Sequence, residues 1–244
     1  DQAKTLGDLC VASIFVNRLQ FLPHEDFDSY PRTWENDCAQ LQAAGCDVLF
    51  APREHDLYPE PQVVKVHADP ALADILEGHF RPGFFTGVST VVMKLFTSVF
   101  AGKAQGVALF GKKDYQQLMI IKRMVQQFAL PIDIEAAETS RADDGLALSS
   151  RNQYLRAEER ATAPRVHQAL RAVAAGLAAG RRDYRELCAE QVRALEAAGF
   201  KPQYLEVRKP TLAQAGAEDR DFVVLVAAVL GSTRLIDNLR VQLS

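Results

Sequence analysis

The sequence predicts an α/β fold, in which a Rossmann-like parallel sheet with helices on both faces is followed by a smaller C-terminal α+β domain. Short β-branched and apolar runs alternate with helix-length segments through the first half of the chain. After about Thr139 a polar stretch leads into alanine-rich helical sequence, and three extended segments end the chain. The expected domains are therefore residues 1–139 and 140–244.

The first elements follow from the spacing of apolar residues. The run Cys10–Val16 is rich in β-branched residues and predicts a strand buried on both faces. Trp34–Ala44 has apolar residues at helical spacing, and Gly45 provides a stop before the strand Val48–Phe50. These elements form a βαβ unit.

Further α/β elements follow the same alternation. Its predicted elements are a helix at Val88–Phe100, a strand at Val107–Phe110, a helix at Tyr115–Phe128 and a strand at Ile132–Ala136. In the second of these helices one stripe is expected to face the core, formed by Leu118, Ile121, Val125 and Phe128.

The second half is predicted to form two helices packed on an antiparallel sheet. The first helix has a heptad-like seam of Val166, Leu170, Val173 and Leu177, and the second spans Tyr184–Ala198. The extended segments are Tyr204–Val207, Phe222–Val229 and Thr233–Asn238, with a glycine turn joining the last two.

Composition narrows the class of protein. Of 244 residues, 48% are hydrophobic and 24% charged, which is typical of a globular chain. A net charge of -3 offers no broad cationic surface, so nucleic acid is not expected as a partner. The longest apolar stretch, Phe222–Leu230, is too short for a membrane helix, and the start DQAKTLGD has no signal-peptide pattern. We therefore expect no membrane association and a cytoplasmic location.

Cysteine and histidine spacing argues against disulfides and against a protein-built metal site. The cysteines form no C-x-x-C pair and are expected to be reduced and mostly buried; they are Cys10, Cys38, Cys46 and Cys188. The five histidines show no H-x-x-x-H spacing. Asp37, Asp143 and Asp144 could help to hold a Mg²⁺ that arrives with a nucleotide, or could be ordinary solvated charges.

The segment FGKKDYQQ lies where a predicted strand passes into a helix. Ligands of open α/β sheets bind beyond the carboxyl ends of strands, where helix N-H groups are available to anions. Gly111 permits close approach to the backbone, and Lys112 and Lys113 could neutralise phosphate or carboxylate. The alternative is a capping box of Asp114 and Gln117 with no ligand.

Two further segments carry polar groups suited to a ligand. Ser149, Ser150 and Arg151 provide donors for a polyphosphate in the connection between the domains, although an ordinary serine-rich loop is the alternative. Asn17 and Gln20 follow the first strand and could bind a small polar substrate, or could satisfy a local turn. The sequence has no G-x-S-x-G, P-loop or G-x-G-x-x-G motif, which disfavours serine hydrolases, P-loop enzymes and dinucleotide binding.

Several long motifs in register resemble the pantoate-β-alanine ligase family. They are FVNRLQF from Phe15, RPGFFTGVSTVV from Arg81, FGKKDYQQ from Phe110 and DGLALSSRN from Asp144, and the similarity runs from about Leu9 to the final RLIDNL. The family belongs to the nucleotidyltransferase-like Rossmann group. The resemblance implies a cytoplasmic, homodimeric ligase of pantothenate biosynthesis.

The resemblance also implies the reaction. ATP and pantoate give a pantoyl adenylate and pyrophosphate, and the amine of β-alanine then displaces AMP. ATP is thus a substrate, accompanied by Mg²⁺, and the partners are small molecules. Another nucleotidyltransferase of the superfamily, or an inactive nucleotide- or pantoate-binding remnant, is the alternative.

Site residues follow position by position from the resemblance. Gln20 and Gln117 are expected to hold pantoate, with Asn17 also in the substrate site and Arg81 near the β-alanine carboxylate. Lys113 and Arg151 are the expected catalytic residues, Lys113 by offsetting charge on the α-phosphate. The expected ATP-binding residues are Gly111, Lys112, Lys113, Asp114, Ser140, Leu148, Ser149, Ser150 and Arg151.

The sequence departs from the family pattern in a few places. Phe84 stands where many relatives have His, Arg18 where the family has Pro, and Lys112 where it has Glu. The family's first strand and its His-x-Gly-His motif would lie before Asp1. We expect negligible adenylation from a protein that lacks that segment, because its histidines would bind the ATP phosphates.

Overall fold

The computed structural model describes residues 1–243 and confirms a mixed α/β chain. The chain packs as two compact units. The N-terminal unit contains residues 1–110 and 116–137, and the C-terminal unit contains residues 111–115 and the chain from residue 138 onward.

The N-terminal unit alternates short strands with helices. Its strands are β1 (Val11–Ser13), β2 (Val48–Phe50), β3 (Gly106–Gly111) and β4 (Ile132–Ala137). Its helices are α1 (Trp34–Ala43), α2 (Glu54–Leu57), α3 (Pro70–Ala73), α4 (Glu77–Phe80), α5 (Phe84–Val99) and α6 (Tyr115–Gln127). Single 3₁₀ turns occur in this unit at Gln2–Thr5 and Arg18–Gln20, and a third, Lys112–Asp114, joins β3 to α6 but packs with the C-terminal unit.

Strand pairing in this unit is more limited than the sequence suggests. Strands β1 and β2 are parallel, with Val11 opposite Val48, and β3 pairs with β4 in a second two-stranded sheet. The expectation of a long strand buried on both faces is wrong for Cys10–Val16. Only Val11–Ser13 is extended and none of its residues is buried, because β1 has a hydrogen-bonded neighbour on one side only.

Helices α5 and α6 supply most of the core of the N-terminal unit. Phe85, Val88 and Ile121 are at most 2% exposed. Helix α5 begins at Phe84, four residues before the predicted start at Val88, because Gly83 adopts a left-handed conformation and ends the preceding turn. The expectation that Phe128 faces the core is wrong: it follows the end of α6 and is 56% exposed.

The C-terminal unit contains the expected two long helices and antiparallel sheet, together with one short helix that was not predicted. After a 3₁₀ turn at Ser150–Tyr154 come α7 (Ala157–Thr162), α8 (Arg165–Ala178), α9 (Tyr184–Ala197), β5 (Phe200–Arg208), β6 (Asp221–Leu230) and β7 (Thr233–Gln242). The strand order is β5-β6-β7, with both pairs antiparallel. The predicted seam on α8 is buried at all four positions.

The four cysteines are free, as expected, but only Cys188 is buried. Cys10 and Cys46 precede β1 and β2, and Cys38 lies on α1. All three are only partly buried, so the expectation of mostly buried cysteines is wrong. Within residues 1–243, no helix has both the length and the apolar character needed to cross a bilayer.

Candidate functional site

Asn17 is buried four residues after the end of β1, and both ends of its side-chain amide are hydrogen-bonded. Its Nδ2 donates to Gln20 Oε1 at 3.1 Å and to the Gly87 carbonyl at 3.0 Å. Its Oδ1 accepts from the Tyr58 hydroxyl at 2.9 Å. Burial raises the pKa of Tyr58 to about 12, so this hydroxyl remains a donor at neutral pH. Asn17 therefore holds Gln20 in place within the protein.

Gln20 presents a donor because of this arrangement. The Oε1 of Gln20 accepts the bond from Asn17, and the Nε2 of Gln20 has no hydrogen-bond partner among residues 1–243. The turn carrying Gln20 lies against α5 at Gly87. A Cβ at Gly87 would be 2.3 Å from the Leu19 carbonyl oxygen and 2.7 Å from the Gln20 nitrogen, so only glycine allows this approach.

A cavity of about 330 Å³ opens beside Gln20. The basic side chains that line it are Lys65 and His67, and neither was expected from the sequence. Thr86 lies 3.4 Å from His67 Nδ1 at the same wall. The remaining lining residues are Leu19, Phe21, Leu22, Pro82, Gly83, Phe84 and Gly87. The volume fits a small organic acid.

Arg81 is buried, and its guanidinium is occupied by the protein. It forms two bonds to Glu25, at 2.5 and 2.7 Å, and one to Glu77 at 3.3 Å. It also donates to the Gln20 carbonyl at 3.2 Å. The Phe84 ring lies 3.9 Å from its guanidinium carbon, so the aromatic residue found in place of His packs against Arg81. Arg81 thus braces the Gln20 turn.

The neighbouring glutamines of α6 have different environments. Gln116 is buried and donates to the carbonyls of Leu72 and Ile75, at 2.7 and 2.8 Å. It also accepts from the Glu77 backbone N-H at 3.0 Å. Gln117 is half-buried, and its side chain has no hydrogen bond within residues 1–243. No bond joins it to Asp114 in that range, so the capping box is not formed.

The two lysines that follow β3 also differ. Lys112 forms an ion pair with Glu138, which offsets its charge. Lys113 is half-buried in the same 3₁₀ turn, and its ammonium has no partner in the part of the chain that the structure describes. Tyr115 anchors the end of this turn by donating to the Pro210 carbonyl at 2.9 Å. Lys113 is therefore the lysine available to an anion.

Residues 140–148 form a tight hairpin in the C-terminal unit. Arg141 pairs with Ala147 across it, and the Leu148 N-H bonds to the Ser140 carbonyl at 2.9 Å. The turn requires Gly145, whose φ is +91°. Arg141 fixes the hairpin by bonding both Asp237 carboxylate oxygens, at 2.6 and 2.9 Å.

The Ser-Ser-Arg segment follows this hairpin directly. Ser149 caps the 3₁₀ turn by accepting from the Arg151 N-H at 3.3 Å. Ser150 and Arg151 are half-buried, whereas Leu148 is 54% exposed and Ser140 is exposed. An exposed leucine beside polar groups offers an apolar surface to a planar base.

Two of the three acidic residues considered for Mg²⁺, Asp144 and Asp37, are occupied locally. Asp144 pairs with Arg160 and accepts from the Leu146 N-H, and the Arg160 bond lowers the pKa of Asp144. Asp37 accepts from Thr33 in the first turn of α1. Within residues 1–243, no three His, Cys, Asp or Glu side chains cluster to hold a metal ion.

The structure thus groups the expected residues by unit. Asn17, Gln20 and Arg81 meet in the N-terminal unit, and Gln117 lies in the same unit on α6. All the expected ATP-binding residues belong to the C-terminal unit: Gly111, Lys112, Lys113, Asp114, Ser140, Leu148, Ser149, Ser150 and Arg151.

Sequence reasoning missed the residues that hold these groups in place. They are Glu25, Tyr58, Gln116, Arg141, Asp237 and Asn238. Several flank or lie within quoted motifs, but their partners are far away in the chain, so no local spacing reveals them. Only their position beside motif residues could have marked them.

Comparison with known proteins gives consistent matches along nearly the whole chain. Residues 1–240 match the family model for pantoate-beta-alanine ligase. The pantothenate synthetase of Paracidovorax citrulli is 63% identical over 241 residues, covering 97% of this chain and 86% of that protein. That of Verminephrobacter eiseniae is 62% identical over 240 residues, covering 97% and 85%.

Solved structures also resemble this fold. The crystal structure of pantothenate synthetase from Thermus thermophilus has a TM-score of 0.91 and 41% identity, covering 98% of this chain and 85% of that one. The pantoate-beta-alanine ligase of Francisella tularensis, crystallised with beta-gamma ATP and beta-alanine, has a TM-score of 0.80 and 33% identity, covering 98% and 81%.

Proposed function

Because this chain belongs to the pantoate-β-alanine ligase family and is an ATP-dependent ligase, we propose that it joins pantoate to β-alanine through a pantoyl adenylate. A pantoate carboxylate oxygen attacks the α-phosphorus of ATP, and the bond to the β-phosphate breaks to release pyrophosphate. The β-alanine nitrogen then attacks the activated carbonyl carbon, loses a proton and expels AMP. Adenylation converts a poor leaving group into a good one.

The observation that carries this proposal is the match over residues 1–240, within which the sequence motifs keep their order. The chemistry needs positioning and charge stabilisation rather than a covalent nucleophile. Lys113 suits that task, because its ammonium has no protein partner within the described residues.

In the N-terminal unit we assign pantoate to Gln20 and Gln117. The Nε2 of Gln20 is an available donor for a hydroxyl or carboxylate oxygen, and the Gln117 amide is likewise uncommitted within residues 1–243. Asn17 serves this site by orienting Gln20. Arg81 serves it by bracing the same turn, since its guanidinium is already bonded to carboxylates and a carbonyl.

In the C-terminal unit we assign ATP to the strand-end turn and to the segment after the hairpin. Lys113 and Arg151 act on the charge that develops at the phosphates, while Gly111 leaves the backbone open to the nucleotide. Leu148 offers the apolar contact. The other proposed ATP-contacting residues are Lys112, Asp114, Ser140, Ser149 and Ser150.

We propose that Mg²⁺ enters with ATP, held by the phosphates. The described residues offer it no ready cluster of ligands, and Asp144 is already paired with Arg160. Mg²⁺ commonly keeps several waters and binds through nucleotide phosphates with few protein carboxylates.

The experiment uses protein that includes the His-x-Gly-His segment expected before Asp1, and it separates the two half-reactions. Pyrophosphate release should require pantoate but not β-alanine, and AMP release should require all three substrates. Lys113→Ala should slow single-turnover pyrophosphate release by a few kcal/mol in the barrier, about a hundredfold or more. Lys122→Ala, which removes an exposed lysine of α6, is the control. Pyrophosphate release without pantoate would instead indicate another nucleotidyltransferase.

We also propose that residues 1–139, which include the lysine turn that packs with the C-terminal unit, act as an ATP- and pantoate-binding domain, and that residues 140–244 act as a lid-like domain. Protection of the connection near residue 139 from proteolysis by ATP and pantoate together would support this assignment. Unchanged cleavage would argue against it.

We propose a homodimer and a cytoplasmic location. Apolar side chains of the N-terminal unit are exposed, among them Val63 at 83% and Val64 at 77%, and a second copy could cover them. Sedimentation should then give twice the mass of the chain. The four free cysteines fit a reducing compartment.

A further inference from the structure

The carboxamide of Asn238 on β7 holds the backbone of the lysine turn. Its Nδ2 donates to the carbonyl oxygens of Lys112 and Lys113, both at 2.8 Å. Asn238 is only 7% exposed, so these bonds are shielded from water. An amide nitrogen with two hydrogens can make this pair of contacts, whereas a carboxylate or an aliphatic side chain cannot.

The residue before it on β7 holds the hairpin that leads to the Ser-Ser-Arg segment. Asp237 is 4% exposed and binds Arg141 through both carboxylate oxygens. Asp237 also accepts from the Asn238 N-H at 2.8 Å, and Arg141 donates to the Asn238 carbonyl at 3.4 Å. Two adjacent residues of one strand therefore bind both segments assigned to ATP.

We propose that Asn238 is a positioning residue for adenylation and acts through Lys113. Asp237, the preceding residue of β7, fixes the 140–148 hairpin to the same strand through Arg141. This inference rests on the proposed function of Lys113 as the lysine that binds phosphate. Lys113 has no side-chain partner within the described residues, so its placement depends on its backbone. A displacement of a catalytic group by about 1 Å can slow a reaction about a hundredfold. Loss of the two hydrogen bonds to the backbone of this turn is therefore expected to lower the reaction rate.

The test compares Asn238→Asp and Asn238→Ala. The first keeps the shape of the side chain but turns acceptors toward two carbonyl oxygens, and the second removes the contact. We expect pantoate-dependent pyrophosphate release to slow by about tenfold to a hundredfold in each. Backbone amide exchange in residues 111–115 should accelerate by about tenfold without any substrate present.

A double-mutant cycle distinguishes positioning from general support of the fold. In a Lys113→Ala background, Asn238→Ala should slow the reaction by less than about twofold, because the side chain being positioned is gone. Val173→Ala, a cavity in the buried seam of α8, destabilises the same unit and should leave the rate unchanged.

The outcomes are separable from those of the proposed function. Equal slowing by Asn238→Ala in both backgrounds, or unchanged exchange in residues 111–115, would overturn the positioning role. In a protein that includes the His-x-Gly-His segment expected before Asp1, absence of pyrophosphate release would count against the proposed function, and the exchange measurement would still decide whether Asn238 orders the lysine turn.

Discussion

The adjacent glutamines of α6 allow a stability effect to be separated from a binding effect. Replacing Gln116 by Ala removes bonds to the carbonyls of Leu72 and Ile75 and to the Glu77 N-H. The two carbonyl bonds are worth about 1 kcal/mol each, and the buried N-H left unpaired costs about 1 to 3 kcal/mol. The better helix propensity of Ala returns a few tenths of a kcal/mol. The expected loss in unfolding free energy is about 3 to 5 kcal/mol.

Gln117→Ala is the matched control, one residue along the same helix. Its side chain makes no hydrogen bond within residues 1–243, so the unfolding free energy should change by less than about 0.5 kcal/mol. Its affinity for pantoate should fall, because the amide assigned to the substrate is gone. Replacement of glutamine by alanine should therefore lower stability at position 116 and pantoate affinity at position 117.

Urea unfolding followed by the fluorescence of Trp34 measures the stability difference. Trp34 is the chain's one tryptophan and belongs to the N-terminal unit, as do both glutamines. Calorimetric titration with pantoate measures the affinity. Equal stability losses in the two variants, or pantoate affinity unchanged by Gln117→Ala, would refute the reasoning.

Two further predictions concern His167 and Gly87. Burial, with a contribution from Arg141, lowers the pKa of His167 from 6.5, so the unfolded chain binds a proton more readily than the folded one. Unfolding free energy should therefore decline as the pH falls from about 6.5 toward the lowered pKa, and His167→Asn should flatten that part of the profile; parallel profiles would disprove it. Gly87→Ala should cost about 1 to 3 kcal/mol and weaken pantoate binding, because the new Cβ would strike the backbone of the Gln20 turn. Gly7→Ala, with open space around it, should do neither in the same assays.

Local periodicity explains what could be predicted of the fold. The seam of α8 was predicted because residues separated by one turn share a face, and all four of its members are at most 2% exposed. The length of β1 could not be predicted, because a β-branched run does not indicate how many strands will pair with it. Phe128 fits the α6 stripe, but the helix ends before it.

The candidate site was predictable only as far as motif residues reveal chemistry. The motifs marked Gln20 and Gln117 as site residues. They could not show which of the adjacent Gln116 and Gln117 is bonded to the protein and which is left for a ligand. Arg81 looked available because its partner Glu25 is 56 positions away in the chain. Long-range partners decide whether a polar side chain binds the protein or a substrate, and sequence spacing does not encode them.

The polypeptide leaves the N-terminal unit at residue 110, returns at residue 116 and leaves again at residue 137. A fragment that starts at residue 138 would therefore lack residues 111–115, which include Lys113. Its Asn238 would have no lysine carbonyls to bond. Dissection of this protein into separately expressed halves needs an inserted or grafted copy of residues 111–115. Without it, the C-terminal fragment would lack Lys113 and the other residues of the turn that we assign to ATP.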